Sequence, residues 1–248
     1  MTQSYVTERT FNMPVISLTT APEHLWDEDL GIYTPGRNAR EGDRVANYWN
    51  EWERPVHVEF FESDGTVGFT ADAGIRIFGW GSRSDPQKSL AVMFRDRYGT
   101  DRLQYRLFPD EEIETFKSFV LRAAGSDSRA NGTFLRDPFA SSLLKGRNVD
   151  RQAFRPAVVY LNGEYWGIQN IREKMNEDYL ASHHNIDPDE VDVISRYWRR
   201  RHPVVIEGDS ERYLAFEAFL EANDFSNADA YEEAQRLIDL DNFIEYTA

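Results

Sequence analysis

Apolar and polar residues alternate in short runs over the first two thirds of the chain, and this pattern predicts β-strands. The clearest run is PVHVEFF at residues 55–61, where every second residue is apolar. Similar short runs predict strands at residues 13–18, 66–69, 74–79, 88–94 and 116–122. The amino-terminal part of the protein is therefore expected to be rich in strands.

The strongest local signal is the segment LNGEYWGIQNIREKM at residues 161–175. Asn162 and Gly163 separate two runs rich in β-branched and aromatic residues, and such a pair favours a tight hairpin turn because both turn residues must take positive φ. The second run ends in the charged residues Arg172, Glu173 and Lys174. We expect a hairpin with a charged rim, which is either scaffold or the wall of a ligand cleft.

Helical spacing appears once among the strands and then dominates after residue 175. Residues 133–145 predict one inserted helix, although Pro138 is tolerated best in a first turn and would place the start near Asp137. Asn176 is a suitable N-cap for the next helix. Further helices are predicted at 209–222, with Tyr213, Phe216 and Leu220 inward, at 228–238 and from 241, with a short strand at 191–194. This segregation predicts an α+β fold with a strand-rich N-terminal lobe leading into a helical lobe.

Composition excludes several classes of protein. The chain has no cysteine, so disulfides, thiolate nucleophiles and Cys-ligated zinc are excluded. The net charge of −15 argues against nucleic-acid binding, even with three consecutive arginines at 199–201. No signal peptide or membrane-spanning run is apparent. Only four of the 28 basic residues are lysines, which is typical of a GC-rich genome or of a halophilic source.

A glycine-rich loop followed by a lysine is the first candidate for chemistry. Gly81 and Ser82 lie in the loop GWGSR, and Lys88 begins the next strand. Backbone amides of such a loop can cradle phosphates, and a lysine can contact them as a point charge. The alternative is an ordinary hairpin loop with an exposed lysine.

Two acidic positions could complete such a site. Asp137, or its neighbour Arg136, could face the lysine from the inserted helix, while the alternatives for Asp137 are a surface ion pair or a helix cap. Glu173 and Lys174 could lie where an adenine meets backbone amides, or form a solvated strand end. The five histidines have no metal-ligand spacing, and the acidic run at 187–190 lacks the spacing of an EF-hand.

Together these stretches resemble the CotH kinase family, named for spore coat protein H. The likeness covers nearly the whole chain from about residue 13, and its most specific part is NGEYWG followed by REK. The matching stretches are MPVISL (13–18), ERPVHVEFFE (53–62), AGIRIF (73–78), PQKSL (86–90), FKSFVLR (116–122), LRDP (135–138), RPAVVYLNGEYWGIQNIREKM (155–175) and DNFIEY (241–246).

The resemblance implies an atypical Ser/Thr protein kinase that uses ATP and a divalent metal such as Mg²⁺ on protein substrates. It places Gly81 and Ser82 over the phosphates, Lys88 against a phosphate, and Asp137 or Arg136 opposite that lysine. Glu173, Lys174 and Met175 would form an interlobe hinge near adenine. Gln87 stands where many members have a lysine.

The resemblance also suggests how the chain is divided. Residues 1–12 resemble the last strand of a preceding β-sandwich module, residues 13–175 the nucleotide-binding lobe, and residues 176–248 the start of a truncated helical lobe. The family's catalytic and metal-binding aspartates are expected beyond Ala248. We therefore expect this chain alone to be inactive and to hold no metal, and its parent protein to be secreted or on the cell surface.

A second class of function uses none of this chemistry. The aromatic loop YWNEW at residues 48–52 could bind protein or carbohydrate in a non-catalytic surface, coat or adhesion module. The alternative for this loop is a packed aromatic corner.

Overall fold

In the computed structural model, residues 12–37, 39–40, 44–128, 132–195 and 203–247 are described. The chain divides into two compact units: Met1–Ala140 with Gln152–Lys174, and Ser141–Arg151 with Met175–Ala248. It is a mixed α and β protein with a large, mostly antiparallel sheet and, among the described residues, six α-helices. The arginines at 199–201 and most of the predicted segment 1–12 lie outside the described residues.

Seven strands of the first unit close into a barrel. The order around it is β1-β2-β3-β4-β7-β9-β8, with antiparallel neighbours except for the parallel pair of β1 and β8 that closes it. The short strands β5 and β6 pair separately. The strands are β1 (Val15–Thr19), β2 (Arg54–Phe61), β3 (Val67–Phe78), β4 (Ser89–Met93), β5 (Leu103–Gln104), β6 (Thr115–Phe116), β7 (Ser118–Arg122), β8 (Phe154–Leu161) and β9 (Glu164–Glu173).

The barrel interior is the hydrophobic core of the first unit. Side chains alternate across each strand, so every second residue points inward. The inward residues are aliphatic or aromatic and almost fully buried, and together they form one cluster. They include Ile16, Leu18, Val58, Phe60, Ile75, Ile77, Leu90, Val92, Phe119, Leu121, Ala157, Val159 and Ile171.

Two of the predicted strands are in fact one. The runs at 66–69 and 74–79 form the single twelve-residue strand β3. Asp72 interrupts the apolar pattern between them, but its carboxylate is an outward partner of His57 across the β2–β3 pair, at 2.7 Å. Gly74 is also a strand residue, and a Cβ there would lie 2.4 Å from Oε1 of Glu53. The prediction of two separate strands was wrong because Asp72 and Gly74 are residue types that are common in turns.

The predicted hairpin is confirmed. β8 and β9 pair antiparallel and are joined at Asn162 and Gly163, whose φ angles are 51° and 82°. The side chain of Asn162 also accepts a hydrogen bond from the backbone N–H of Thr20 at 2.8 Å. The turn therefore attaches the hairpin to the end of β1.

Helices occupy the remaining elements. α1 is Pro22–Trp26, and α2 is Arg136–Leu143, which begins three residues later than position 133 because Phe134 has a left-handed φ of 62°. The N-cap predicted at Asn176 is confirmed, since its side chain accepts from the N–H of Tyr179. The second unit contains α3 (Glu177–His184), β10 (Val193–Ser195), β11 (Val204–Glu207), α4 (Glu211–Ala222), α5 (Ala228–Leu237) and α6 (Leu240–Thr247).

Burial is low along α4. None of its residues is fully buried; Tyr213 and Phe216 are half-buried, while Leu220 is exposed. The prediction that these three side chains point inward is thus only partly right. Over the described ranges, no helix has the length and apolar character needed to cross a membrane.

Candidate functional site

Lys88 lies at one end of the barrel, directly before β4. Its residue is only 4% exposed, and alternation places it on the inward side with Leu90. The ammonium Nζ donates to the backbone oxygen of Asp85 at 2.8 Å and lies 4.3 Å from the ring centroid of Tyr48 and 5.5 Å from that of Tyr33. Among the residues that the structure describes, this ammonium forms no ion pair.

Burial changes the chemistry of this lysine. Desolvation lowers the pKa of Lys88 to about 8, and the nearby charge of Asp85 opposes that shift only in part. The side chain is therefore a cation near neutral pH that is held by a carbonyl and two aromatic rings rather than by a carboxylate. Such a cation is available to an anion.

The backbone of Lys88 is fixed by neighbouring strands and loops. The Tyr33 hydroxyl accepts hydrogen bonds from the N–H of Lys88 at 3.2 Å and from Nε1 of Trp166 at 2.9 Å. Nε2 of Gln169 donates to the carbonyl of Lys88 at 3.2 Å. Burial raises the pKa of Tyr33 to about 12, so its hydroxyl stays protonated. The position of Lys88 is thus set from β9 as well as from its own strand.

Gly81 and Ser82 form the start of a 3₁₀ turn, Gly81–Ser84, in the loop before Lys88. A Cβ at Gly81 would meet no atom within 4 Å, so the space beside this glycine is open. This turn ends four residues before Lys88, and the role of Gly81 and Ser82 in binding a ligand stays a prediction.

Sequence reasoning missed Arg83 in this loop. Its residue is 8% exposed, and its guanidinium donates to the carbonyl of Gly79 at 2.7 Å and to the carboxylate of Glu51. One arginine in a polar loop has no distinctive pattern, and its partner lies 32 positions away, so the sequence carried no signal for it.

Asp137 lies elsewhere. Its carboxylate pairs with Arg172, whose residue is 1% exposed, and with Nε of Arg122 at 3.2 Å. Arg172 follows the inward residue Ile171 on β9, so this cluster is on the outer face of the barrel. The predicted pair of Asp137 with Lys88 is not formed. Nor does Arg136 face that lysine, because it pairs with Asp127 at 3.1 Å.

Glu173 is the last residue of β9 and is buried, so a solvated strand end does not describe it. Its carboxylate accepts from the N–H of Ala153 at 2.8 Å, and its carbonyl accepts from Gln152 at 2.6 Å. It lies four residues beyond Gln169, which places it roughly 13 Å along the strand from the level of Lys88. Lys174 ends the first unit and Met175, which is partly exposed, begins the next segment.

The aromatic loop at 48–52 is largely packed. Tyr48 and Trp52 lie against the hydrophobic core, and the ring of Trp49 is 6.1 Å from that of Trp80. Trp80 itself is 55% exposed, with the guanidinium of Arg44 at 4.0 Å from its ring. The packed corner that we gave as the alternative therefore describes most of this loop.

The described residues contain no group of three or more His, Asp or Glu side chains that could hold a metal ion. Three of the described histidines have a polar partner: His57 bonds Asp72, His184 bonds Asp150, and His24 bonds Thr20.

A family model described as CotH kinase protein matches residues 75–248. The chain belongs to the CotH kinase family. The matched span includes the loop with Gly81 and Ser82, Lys88, Asp137 and the whole hairpin, so the recognition from sequence is confirmed there. The stretches at 13–18 and 53–62 lie outside it. No curated protein matches this CotH-family chain.

Proposed function

We propose that this chain supplies the nucleotide-binding part of a CotH-type protein kinase, in which Lys88 contacts a phosphate of ATP. Under this proposal the phosphate passes to Ser or Thr of a surface or coat protein. Membership of the CotH kinase family supports a kinase-related role. The observation that carries the proposal is the buried Lys88 ammonium, which has no carboxylate partner among the described residues.

A buried cation without a counter-ion destabilises a fold, by several kcal/mol in unfavourable cases. A methionine would fill similar space without the cost of burying a charge. An incoming phosphate oxygen would give Lys88 the partner that it lacks and would replace the carbonyl of Asp85. Binding of an anionic ligand therefore explains the buried charge of Lys88 better than a role in stabilising the fold does.

Gly81 and Ser82 are proposed to contact the same phosphates through their backbone. The first residues of a helical turn have amide groups without intrahelical acceptors, and such groups favour anions. The open space at Gly81 allows close approach of a ligand. ATP supplies the transferable phosphoryl group, and these residues would bind and orient it.

The remaining predicted residues have a more distant part in the proposal. The adenine is proposed to lie near the backbone of Glu173, Lys174 and Met175, as the family resemblance implies. Asp137 is proposed to act through Arg172 and Arg122, by holding the outer faces of β9 and β7 together. We assign no described residue to Mg²⁺.

Calorimetric titration with ATP tests the proposal. Replacing Lys88 by Met removes one charge-assisted hydrogen bond to phosphate, so the affinity for ATP should fall by about tenfold or more. Lys145→Met is the matched control, because Lys145 is exposed and distant in sequence from the loop. Equal affinities in wild type and Lys88→Met would contradict the proposal.

A non-catalytic binding module is the second candidate, and exposed Trp80 favours it. If this surface binds carbohydrate or protein, Trp80→Ala should abolish binding to a glycan array or coat-protein extract and leave ATP titration unchanged. Trp52→Phe is the control, since Trp52 is packed. Retained binding by Trp80→Ala would exclude this surface.

A further inference from the structure

We infer that Arg83 is a positioning residue, whose buried guanidinium holds the turn at residues 48–50 so that the Tyr48 ring covers the Lys88 ammonium. The inference rests on the proposed function in one respect, which is that Lys88 has an anionic ligand. The contacts of Arg83 and Tyr48 that it describes are those of the protein without ligand.

Arg83 joins two segments that are far apart in sequence. Its Nε donates to the carbonyl of Gly79 within its own loop. Its Nη1 lies within 3.3–3.5 Å of three consecutive carbonyls, those of Tyr48, Trp49 and Asn50. The planar guanidinium is suited to several acceptors at once, whereas an ammonium would reach only one or two of them.

The other end of the turn is held independently. The side-chain amide of Asn47 donates to the carbonyls of Glu28 and Gly31, at 3.0 and 3.1 Å. Asn47 therefore fixes where the turn begins, and Arg83 fixes where it ends. Tyr48 lies between these two anchors.

An ion pair also stabilises the contact between Arg83 and the end of the turn. Glu51 follows the turn, and its carboxylate pairs with Arg83 through one oxygen and with Arg76 at 2.9 Å through the other. A carboxylate that bridges two guanidinium groups can make a charge-assisted hydrogen bond with each of them. Arg83 thus has one carboxylate and four backbone carbonyls as acceptors, so its donors are already used within the protein.

The Tyr48 ring is the feature that this network places. Its centroid is 4.3 Å from Nζ of Lys88, closer than that of Tyr33, and it covers the ammonium on that side. Release of the turn would admit water to Nζ. The anion affinity and the proton affinity of Lys88 should therefore both depend on Arg83, which acts on Lys88 through the turn.

The test measures the pKa of Lys88 in the ligand-free chain, from the NMR signals of its ε-methylene group, with Lys88→Met for assignment. Arg83→Met should raise that pKa from about 8 by a unit or more towards its ordinary value of 10.5, because the ammonium becomes hydrated. Tyr48→Ala should do the same, and Tyr48→Phe should not. The double variant Arg83→Met, Tyr48→Ala should show no more than the effect of Tyr48→Ala.

An unchanged pKa in folded Arg83→Met, or additive effects in the double variant, would overturn the inference. Should Arg83→Met not fold, Arg83→Lys replaces it with the same expectation, because its ammonium cannot span the three carbonyls and Glu51. Since no nucleotide is present, a failure of ATP binding would overturn the proposed function and leave this result standing.

Discussion

At the scale of single residues, Lys88 shows how a ligand site can oppose stability. Its ammonium is covered by two tyrosine rings and bonds one carbonyl, and the nearby charge of Asp85 compensates its burial only in part. A buried lysine whose pKa is lowered by folding makes the free energy of unfolding depend on pH.

We predict that Lys88→Met is more stable than wild type at pH 7, by on the order of 1–3 kcal/mol. The folded pKa of Lys88 is about 8 and its ordinary value is 10.5. Below pH 8 both folded and unfolded chains are protonated, so the burial penalty is fully present. Between pH 8 and 10.5 the unfolded chain binds more protons, so wild type gains stability as pH rises.

Urea unfolding of both proteins at pH 7, 8.5 and 10 measures this difference. The advantage of Lys88→Met should shrink across the series. Lys145→Met, at an exposed lysine, is the control for the other titrating groups. An advantage that is constant with pH would mean that Lys88 has the same pKa in the folded and unfolded chains, and would contradict the prediction.

Residue types and spacing selected Lys88 with Gly81 and Ser82 as candidates, because a glycine-rich loop and a following lysine are local in sequence; their role stays a prediction. They did not predict the partners of Asp137. Whether a carboxylate in α2 meets Lys88 or Arg172 depends on which face of the barrel the helix covers, and no local pattern carries that information. Arg83 was missed for the same reason.

At the scale of elements, the hairpin of β8 and β9 depends on its turn. Asn162 and Gly163 both have positive φ, and the Asn162 side chain also bonds Thr20 after β1. The turn therefore fixes the register of the hairpin and its attachment to a third strand.

We predict that Gly163→Ala destabilises the chain by about 1 kcal/mol and Asn162→Ala by more. A Cβ at Gly163 would meet no atom within 4 Å, so only its φ of 82° opposes the substitution. Asn162→Ala loses in addition the bond to Thr20. Thermal unfolding checks both values.

Asn162→Gly separates the two effects of Asn162, since glycine accepts positive φ but cannot bond Thr20. It should be less destabilising than Asn162→Ala. If both variants lose the same stability, backbone strain at this turn contributes nothing.

Strong local patterns predicted elements well. The Asn-Gly pair and the flanking apolar runs located the hairpin, and Asn176 located the start of α3. The division of β3 failed because Asp72 and Gly74 look like turn residues unless their partners, His57 and Glu53, are known. Those partners are distant in sequence and are brought close only by the tertiary structure.

At the scale of the whole molecule, the two units differ in burial. The first has a barrel filled by almost fully buried side chains. In the described part of the second, α4 and α6 have no buried residue, and α5 has only Ala234.

Hydrogen exchange on the full chain should reveal this difference. We predict that amides of β4, β7 and β9 exchange about a hundredfold more slowly than those of α4 and α6, because local opening needs less free energy where little apolar surface is buried. Exchange followed by mass spectrometry measures it. Similar protection in both sets would show that the helices share the cooperativity of the barrel.

The segregation of strands and helices predicted a mixed α and β protein, and the structure agrees. Closure of the sheet was not predicted. It requires β1 to pair in parallel with β8, and no local pattern in either strand indicates which strand it pairs with.

That closing pair has a consequence for synthesis. The bond between Thr20 and Asn162 spans 142 positions, so at ribosomal speeds β1 emerges roughly 7 to 30 s before the strand that completes its sheet. Throughout that interval the nascent chain presents an open sheet edge, which is prone to pair with other chains. Topologies of high contact order fold slowly, so we expect the yield of this barrel in a cell to depend on protection of β1 until the hairpin has been made.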